Sequence, residues 1–167
     1  MISSSESGTS LVRFGTSSVV TFPDPTSGLT WQVTPTGGKM HTPAAWSHCS
    51  NLELAGGGWR LPTIGELRTL IRGCPATDDG GTCNVDDDCL CSSCTDAFPI
   101  CNCPEYKGPA EGGCYWPDEM EGDCDWNLSS SWMEDNATYN WLVNFSNGGI
   151  FYDIMAGVGP EHARCVR

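Results

Sequence analysis

Residues 139–149 read Tyr139-Asn-Trp-Leu-Val-Asn-Phe145-Ser146-Asn-Gly-Gly149, and this stretch decides the fold. Aromatic and β-branched side chains recur there at every second position, which predicts a strand whose alternate residues share one face. Those positions are Tyr139, Trp141, Val143 and Phe145. Asn147-Gly148 is the dipeptide typical of a tight hairpin turn. The stretch therefore predicts a β-hairpin, with a returning strand that covers part of Ile150–Met155.

The run that follows the hairpin has no regular period. Residues 150–163 mix glycine, proline, aromatic and charged residues, and the sequence then closes on Arg164-Cys-Val-Arg167. We expect a last strand at Ala163–Val166. An irregular run held between two ordered segments is typical of a binding site carried on a rigid scaffold.

The first half of the chain predicts two short strands and a helix. Ser18–Phe22 and Leu29–Val33 have strand composition, and the segment between them is rich in proline and glycine. Thr42 and Pro43 have the pattern of an N-cap followed by proline in the first helical turn. We expect this helix to run to about Leu54.

A second helix is predicted after Trp59-Arg-Leu-Pro62. Thr63 and Glu66 have the spacing of a capping box, in which each side chain bonds the other residue's backbone N–H. An apolar stripe follows at Ile64, Leu67, Leu70 and Ile71. Gly73 stands where a glycine C-cap is expected.

The segment 74–125 contains nine of the eleven cysteines and has little periodicity. Such a segment needs cross-links to fold, so we expect disulfides, with zinc at the closely spaced thiols as the alternative. Nine cysteines allow four bridges and leave one over, and neighbours such as Cys89 and Cys91 are expected to bond different partners. We interpret 13–167 as one domain carrying 74–125 as an insertion, preceded by a flexible tail at 1–12.

Charge and cysteine content restrict the class of protein. The net charge is −13, and thirteen of the 21 acidic residues lie between Asp78 and Asp125. A chain that binds nucleic acid needs a basic face, so we expect no nucleic-acid partner. Dense cysteines indicate an oxidising compartment, hence a secreted or surface-displayed protein. No signal peptide or membrane anchor is present in the sequence, so membrane attachment would need a segment that it lacks.

Three ordered pieces of the sequence resemble one family, the Lcl C-terminal domain family of the formylglycine-generating-enzyme-like branch of the C-type lectin fold. The pieces are Gly28-Leu-Thr-Trp-Gln32; Trp46-Ser-His-Cys49 with Gly58-Trp-Arg-Leu-Pro-Thr63 and Glu66-Leu67; and Trp141-Leu-Val-Asn-Phe145 with Arg164-Cys-Val-Arg167. The resemblance implies an α+β, C-type lectin-like fold with two helices packed on small twisted antiparallel sheets and a long disulfide-rich insertion.

The resemblance also implies that Cys49 pairs with Cys165 and that Arg60 ties the second helix to the sheet. Cys49 and Cys165 are the two cysteines outside the dense block, which agrees with this pairing. The chain departs from the family at Asn127 and Leu128, where aromatic residues are usual.

Some proteins of this fold are variable proteins of diversity-generating retroelements, in which adenine-directed mutagenesis rewrites codons near the C-terminus. Most residue types in Gly149–Ala163 are reachable from randomised asparagine codons; Met155 and Glu161 are not. The resemblance thus implies a displayed, variable ligand-binding surface. The alternative is a fixed-sequence adhesin, glycan-binding or structural domain of the same fold.

We therefore expect a binding module for a protein ligand, with a glycan as the alternative ligand, and not an enzyme. No nucleophile–base–acid set is recognisable, and the reactive cysteine pair of the branch's name-giving enzyme has no counterpart here. The predicted ligand-binding residues are Ile150, Phe151, Tyr152, Asp153, Met155, Gly157, Val158, Glu161, His162, Asn127 and Trp132. We expect no cofactor, with calcium at Asp86, Asp87 and Asp88 as the alternative. The oligomeric state is left open.

Overall fold

A computed structural model of the chain describes residues 20–95, 101–103, 107–154 and 159–167. These residues form an α+β domain with two α-helices and two small antiparallel sheets. The elements are β1 (Thr21–Pro23), β2 (Thr30–Gln32), α1 (Thr42–Ser50), α2 (Ile64–Leu70), β3 (Trp126–Trp132), β4 (Tyr139–Asn144) and β5 (Gly149–Ile154). The predicted fold class is confirmed, whereas the predicted tail at 1–12 lies outside the described residues.

β4 is the central strand of the larger sheet, in the order β3-β4-β5, and β1 pairs with β2 in the smaller one. The hairpin turns at Gly148, whose φ of 60° belongs to the left-handed region that glycine enters most easily. β5 pairs with β4 without a register shift, so that Tyr152 lies opposite Trp141 and Phe151 opposite Leu142. The predicted hairpin and its returning strand are confirmed.

Both faces of β4 are buried, each in a separate core. Trp141 and Val143 belong to the larger core, which also contains the apolar stripe of α2. Leu142 belongs to the smaller core, together with Ala45 and Cys49 of α1. The predicted alternation along β4 is confirmed, and it distributes side chains between two apolar layers.

The helix α1 differs from its prediction at both ends. Its N-cap is His41, and Thr42 is already helical. The Thr42 side chain is buried because its hydroxyl donates to Oδ1 of Asn140 on β4, at 3.1 Å. The helix ends at Ser50, followed by a short 3₁₀ turn at Leu54–Gly56. The predicted Thr42 cap is therefore wrong, since that hydroxyl links the helix to the sheet.

The capping box of α2 is confirmed. Glu66 N donates to Thr63 Oγ1 at 3.2 Å, and Thr63 N donates to Glu66 Oε2 at 2.9 Å. The helix ends at Leu70, earlier than predicted, because Ile71 is already extended and Arg72 N donates to a carbonyl of the insertion. Gly73 has a positive φ but does not occupy the cap position.

Replacing Thr63 by alanine is expected to lower the free energy of unfolding by about 1–2 kcal/mol. The substitution removes the cap of α2 and also the hydrogen bond that the Thr63 hydroxyl donates to Asp87, at 2.8 Å. Urea denaturation measures the change. Thr26→Ala is the matched control, because the exposed Thr26 hydroxyl bonds no described residue. Equal midpoints for the two variants would contradict the role of the cap.

The C-terminal residues bridge β2 to the segment that precedes α2. Val166 forms β-bridges to Trp31 of β2 on one side and to Arg60 on the other. These are single bridges, so the strand predicted at Ala163–Val166 is not present as a regular element. The implied disulfide is confirmed: Cys49 of α1 is bonded to Cys165 across 116 residues.

The predicted disulfides of the insertion are confirmed, with one thiol left over. The bonded pairs are Cys74–Cys103, Cys83–Cys101, Cys89–Cys94 and Cys114–Cys124. Cys91 is the free thiol. Cys89 and Cys91 are not bonded to each other, but the prediction that each bonds its own partner holds for Cys89 alone. Val85 and Trp116 are buried in the larger core, so the insertion shares its apolar interior with the rest of the domain.

Arg68 of α2 orders the first part of the insertion. Its guanidinium is buried and donates to four backbone carbonyl groups, those of Thr77, Asp78, Cys83 and Val85. A helix side chain thereby replaces the backbone partners that a regular element would supply. Sequence reasoning missed this role because Arg68 stands in an amphipathic helix, where a charged residue is expected to face water.

Candidate functional site

β5 is an edge strand, and it divides the predicted site residues between the two faces of the sheet. Tyr152 lies opposite Trp141, on the side of the larger core, whereas Asp153 lies opposite Asn140, on the side of α1. Successive side chains of a strand point to opposite faces. The predicted residues 150–153 therefore do not form one continuous surface.

Two predicted site residues contribute to packing. Ile150 is 2% exposed and belongs to the larger core. Phe151 is half-buried against the smaller core, where its ring meets the Trp126 ring edge-on, with centroids 5.0 Å apart. These two side chains fix β5 on both of its faces.

Tyr152 and Ile154 are the exposed large apolar residues of β5, at 44% and 39% of their surface. The Tyr152 ring packs edge-on against Tyr139, at 5.6 Å between centroids, and against Trp141, at 5.5 Å. Tyr152 is one of the predicted ligand-binding residues, whereas Ile154 was missed. The Tyr152 ring is thus held in place on one side and open to solvent on the other.

The insertion forms a wall beside Tyr152. An open cleft of about 510 Å³ is lined by Thr95, Cys101 and Asn102 of the insertion and by residues 150–152 of β5. Ile150 N donates to the Cys101 carbonyl at 2.9 Å, which attaches the wall to the strand. Sequence reasoning missed these wall residues because their position depends on a disulfide connectivity that spacing does not reveal.

Glu161 at the far end of the irregular run is bound within the domain. Lys39 Nζ lies 3.2 Å from its carboxylate and 2.9 Å from that of Asp125. The hydrogen bond to Asp125 raises the pKa of the Lys39 ammonium, against the effect of burial. Glu161 also exchanges two backbone hydrogen bonds with Met40. These contacts fasten the end of the run to the loop before α1.

His162 and Asn127 form a buried connection between the run and β3. The two residues form a parallel β-bridge, and Asn127 is fully buried. Burial lowers the pKa of His162, as does the charge of Lys39, which favours the neutral imidazole. Within the described ranges, Asn127 Oδ1 and His162 Nε2 have no hydrogen-bond partner. Asn127 lies beneath the surface and His162 is partly buried, and their bridge positions the run against β3.

Trp132 belongs to a different surface. It is 38% exposed and packs against Trp46 of α1, with ring centroids 4.9 Å apart. Its register partner is Asn140, which itself faces Asp153 of β5, so Trp132 lies on the α1 side of the sheet, away from Tyr152. The predicted residues Met155, Gly157 and Val158 lie outside the described residues.

Two of the three aspartates predicted as calcium ligands, Asp86 and Asp87, have protein partners. Asp87 accepts hydrogen bonds from the Thr63 hydroxyl and from Gly65 N, at 2.8 and 3.1 Å, at the start of α2. Asp86 lies 3.6 Å from the Arg68 guanidinium. In the described part of the chain, the ligand-type atoms that cluster within 4.8 Å belong to three cysteines and not to Asp86–Asp88. Calcium at this position stays a prediction.

No helix among the described residues is long and apolar enough to cross a membrane. The two helices, the small antiparallel sheets and the five disulfides define a disulfide-rich, C-type lectin-like domain. The chain belongs to the Lcl C-terminal domain family, whose model matches residues 20–167. Membership indicates a ligand-binding, adhesin-like domain. No curated protein and no solved structure matches the chain significantly.

Proposed function

We propose that this domain is a secreted or surface-displayed binding module that recognises a protein ligand through non-covalent contacts around Tyr152, without a catalytic step. The observation that carries the proposal is the exposed Tyr152 ring on a strand whose other aromatic residue, Phe151, is packed. Tyrosine offers a large, amphipathic contact area at a small cost in conformational entropy.

The rigidity of the frame supports this function. β5 is held by β4, by Phe151 in the smaller core and by the Cys101 carbonyl. A surface already held in its binding conformation loses less entropy when a ligand binds. The adjoining cleft supplies a concave edge to the exposed ring, with Asn102 as a polar residue in a largely apolar lining. The net charge of −13 disfavours a polyanionic ligand.

We further propose that the run Gly149–Ala163 is diversified by adenine-directed mutagenesis. Substitutions at the exposed Tyr152 and Ile154 change the surface without opening a cavity in either core, whereas Ile150 is committed to packing. The domain can therefore tolerate variation at alternate positions of β5. A near-identical, adenine-rich copy of the coding sequence for this run, beside a reverse transcriptase gene, is expected in the source genome. A complete flanking sequence without both would contradict diversification and leave the binding function untouched.

Tyr152→Ala is expected to weaken binding at least about tenfold, because truncation of a central aromatic contact commonly costs 2 kcal/mol or more. The probe is an array of purified extracellular proteins incubated with the wild-type domain, and each positive protein is then titrated against both chains. Trp132→Ala is the matched control, since Trp132 is similarly exposed but lies on the α1 side of the sheet. Unchanged affinity for Tyr152→Ala would show that the site is elsewhere.

One observation favours a glycan-binding module as the second candidate. The exposed Trp132 indole packs against Trp46, and Trp46 lines a cleft together with Ser50, Arg60, Leu61, Thr63 and Ser130. Sugars stack on indole rings and bond to hydroxyl groups, which matches this lining. On a glycan array, binding that is lost in Trp132→Ala and retained in Tyr152→Ala would favour this candidate.

A further inference from the structure

The insertion contains a compact group of three sulfur atoms, all within 4.8 Å of one another. Cys89 and Cys94 are bonded, and Cys91 is a free, half-buried thiol. The Cys91 sulfur lies 3.1 Å from the Cys94 sulfur and 3.0 Å from the Ser93 hydroxyl oxygen. Reacting atoms held about 3–3.5 Å apart are within the range of direct attack.

The backbone around these sulfurs is held by contacts that involve no cysteine side chain. The Leu90 carbonyl accepts hydrogen bonds from Trp141 Nε1, at 3.0 Å, and from Glu134 N, at 3.1 Å. Ser92 donates through its backbone N–H to the Asp135 carboxylate at 3.0 Å, and its hydroxyl donates there as well. These contacts attach the segment to β4 and to the β3–β4 turn whichever pair of sulfurs is bonded.

We propose that Cys89, Cys91 and Cys94 form a thiol–disulfide exchange site in which Cys94 alternates between two partners. The Cys91 thiolate attacks the Cys94 sulfur, the Cys91–Cys94 bond forms, and the Cys89–Cys94 bond breaks. Cys89 leaves as a thiolate and takes up the proton that Cys91 released. The step is an isomerisation, with no net oxidation or reduction and no co-reactant.

Exchange makes one reactive thiol available at either of two positions. The anchors on Leu90 and Ser92 keep the backbone in place, so the interchange needs only rotation of cysteine side chains. The other bridges of the insertion differ in this respect, because the described residues place no third thiol in a cluster with them. This inference is independent of the function proposed for Tyr152.

Pulsed alkylation of the native, full-length chain tests the exchange. A brief treatment with N-ethylmaleimide at neutral pH, quenched in acid and mapped by mass spectrometry under acid, is expected to label both Cys89 and Cys91. Acid protonates thiols and stops exchange during digestion. Label on Cys91 alone would overturn the proposal.

A variant gives a second readout. Cys89→Ser is expected to lose the free thiol of the wild type altogether, because Cys91 then pairs with Cys94. Cys114→Ser is the matched control, in which Cys124 and Cys91 should both be labelled since Cys124 has no neighbouring thiol to capture it. Labelling of both Cys91 and Cys94 in Cys89→Ser would overturn the proposal. An intact Cys49–Cys165 peptide pair in each variant verifies that the domain has folded.

Discussion

Replacing Cys49 and Cys165 together by alanine is expected to lower the free energy of unfolding by about 4–5 kcal/mol. This disulfide spans 116 residues, and the entropy that a cross-link removes from the unfolded chain grows with the logarithm of the enclosed loop. Both cysteines are fully buried in the smaller core, so alanine also removes packed sulfur. Urea denaturation followed by tryptophan fluorescence measures the difference from the wild type.

The matched control is the double alanine variant of Cys114 and Cys124. This bridge spans 10 residues, and the same model assigns it about 3 kcal/mol. A larger loss for this pair than for Cys49 and Cys165 would contradict the loop-length account. In both experiments the remaining bridges are mapped first, so that a shuffled disulfide is not mistaken for a change in stability.

Arg164→Met is expected to lower the free energy of unfolding by about 3 kcal/mol or more. The Arg164 guanidinium is fully buried and donates to the carbonyls of Gln32, Val33 and Glu121. Burial lowers its pKa to about 9, which leaves it charged at pH 7. Methionine fills similar volume and removes the buried charge. The Val33 carbonyl keeps the hydrogen bond from Glu121 N, but the carbonyls of Gln32 and Glu121 lose the Arg164 donor, at about 1–3 kcal/mol for each that stays dry. Chemical denaturation measures the loss.

Two further variants test the reason for that loss. Arg167→Met makes the same chemical change at an exposed arginine that rests on the Trp59 ring, and about 1 kcal/mol or less is expected. Arg164→Lys keeps the charge but lacks the planar fork that reaches separate segments, so it should not restore stability. If lysine behaved like arginine, charge and not the geometry of donation would be the cause.

The parts of the fold that could be predicted depend on residues close together in the sequence. The Thr63–Glu66 capping box and the Asn147-Gly148 turn are complete within a few positions, and both are present. Thr42 fits the local pattern of a cap equally well, yet its hydroxyl bonds Asn140, almost a hundred residues away. A local pattern cannot reveal which of two partners a hydroxyl takes when one of them is distant.

The same limit applies to the candidate site. Ile150, Phe151 and Tyr152 were all predicted to bind ligand. Ile150 and Phe151 could not be assigned to packing without knowing that both faces of the sheet are covered. Arg164 was identified only as part of a family motif. Its partners lie on β2, just after β2 and in the insertion, and they come together only when the last residues are in place.

The Cys49–Cys165 bridge also sets an order of events during protein synthesis. At about 5–20 residues per second, a ribosome needs roughly 6–23 s to make the 116 residues that separate the two thiols. All nine cysteines of the insertion are synthesised in that interval. Cys49 must therefore stay reduced, or exchange out of early wrong pairings, until Cys165 arrives. We expect a disulfide isomerase to speed the formation of the Cys49–Cys165 bridge when the reduced, unfolded chain is refolded.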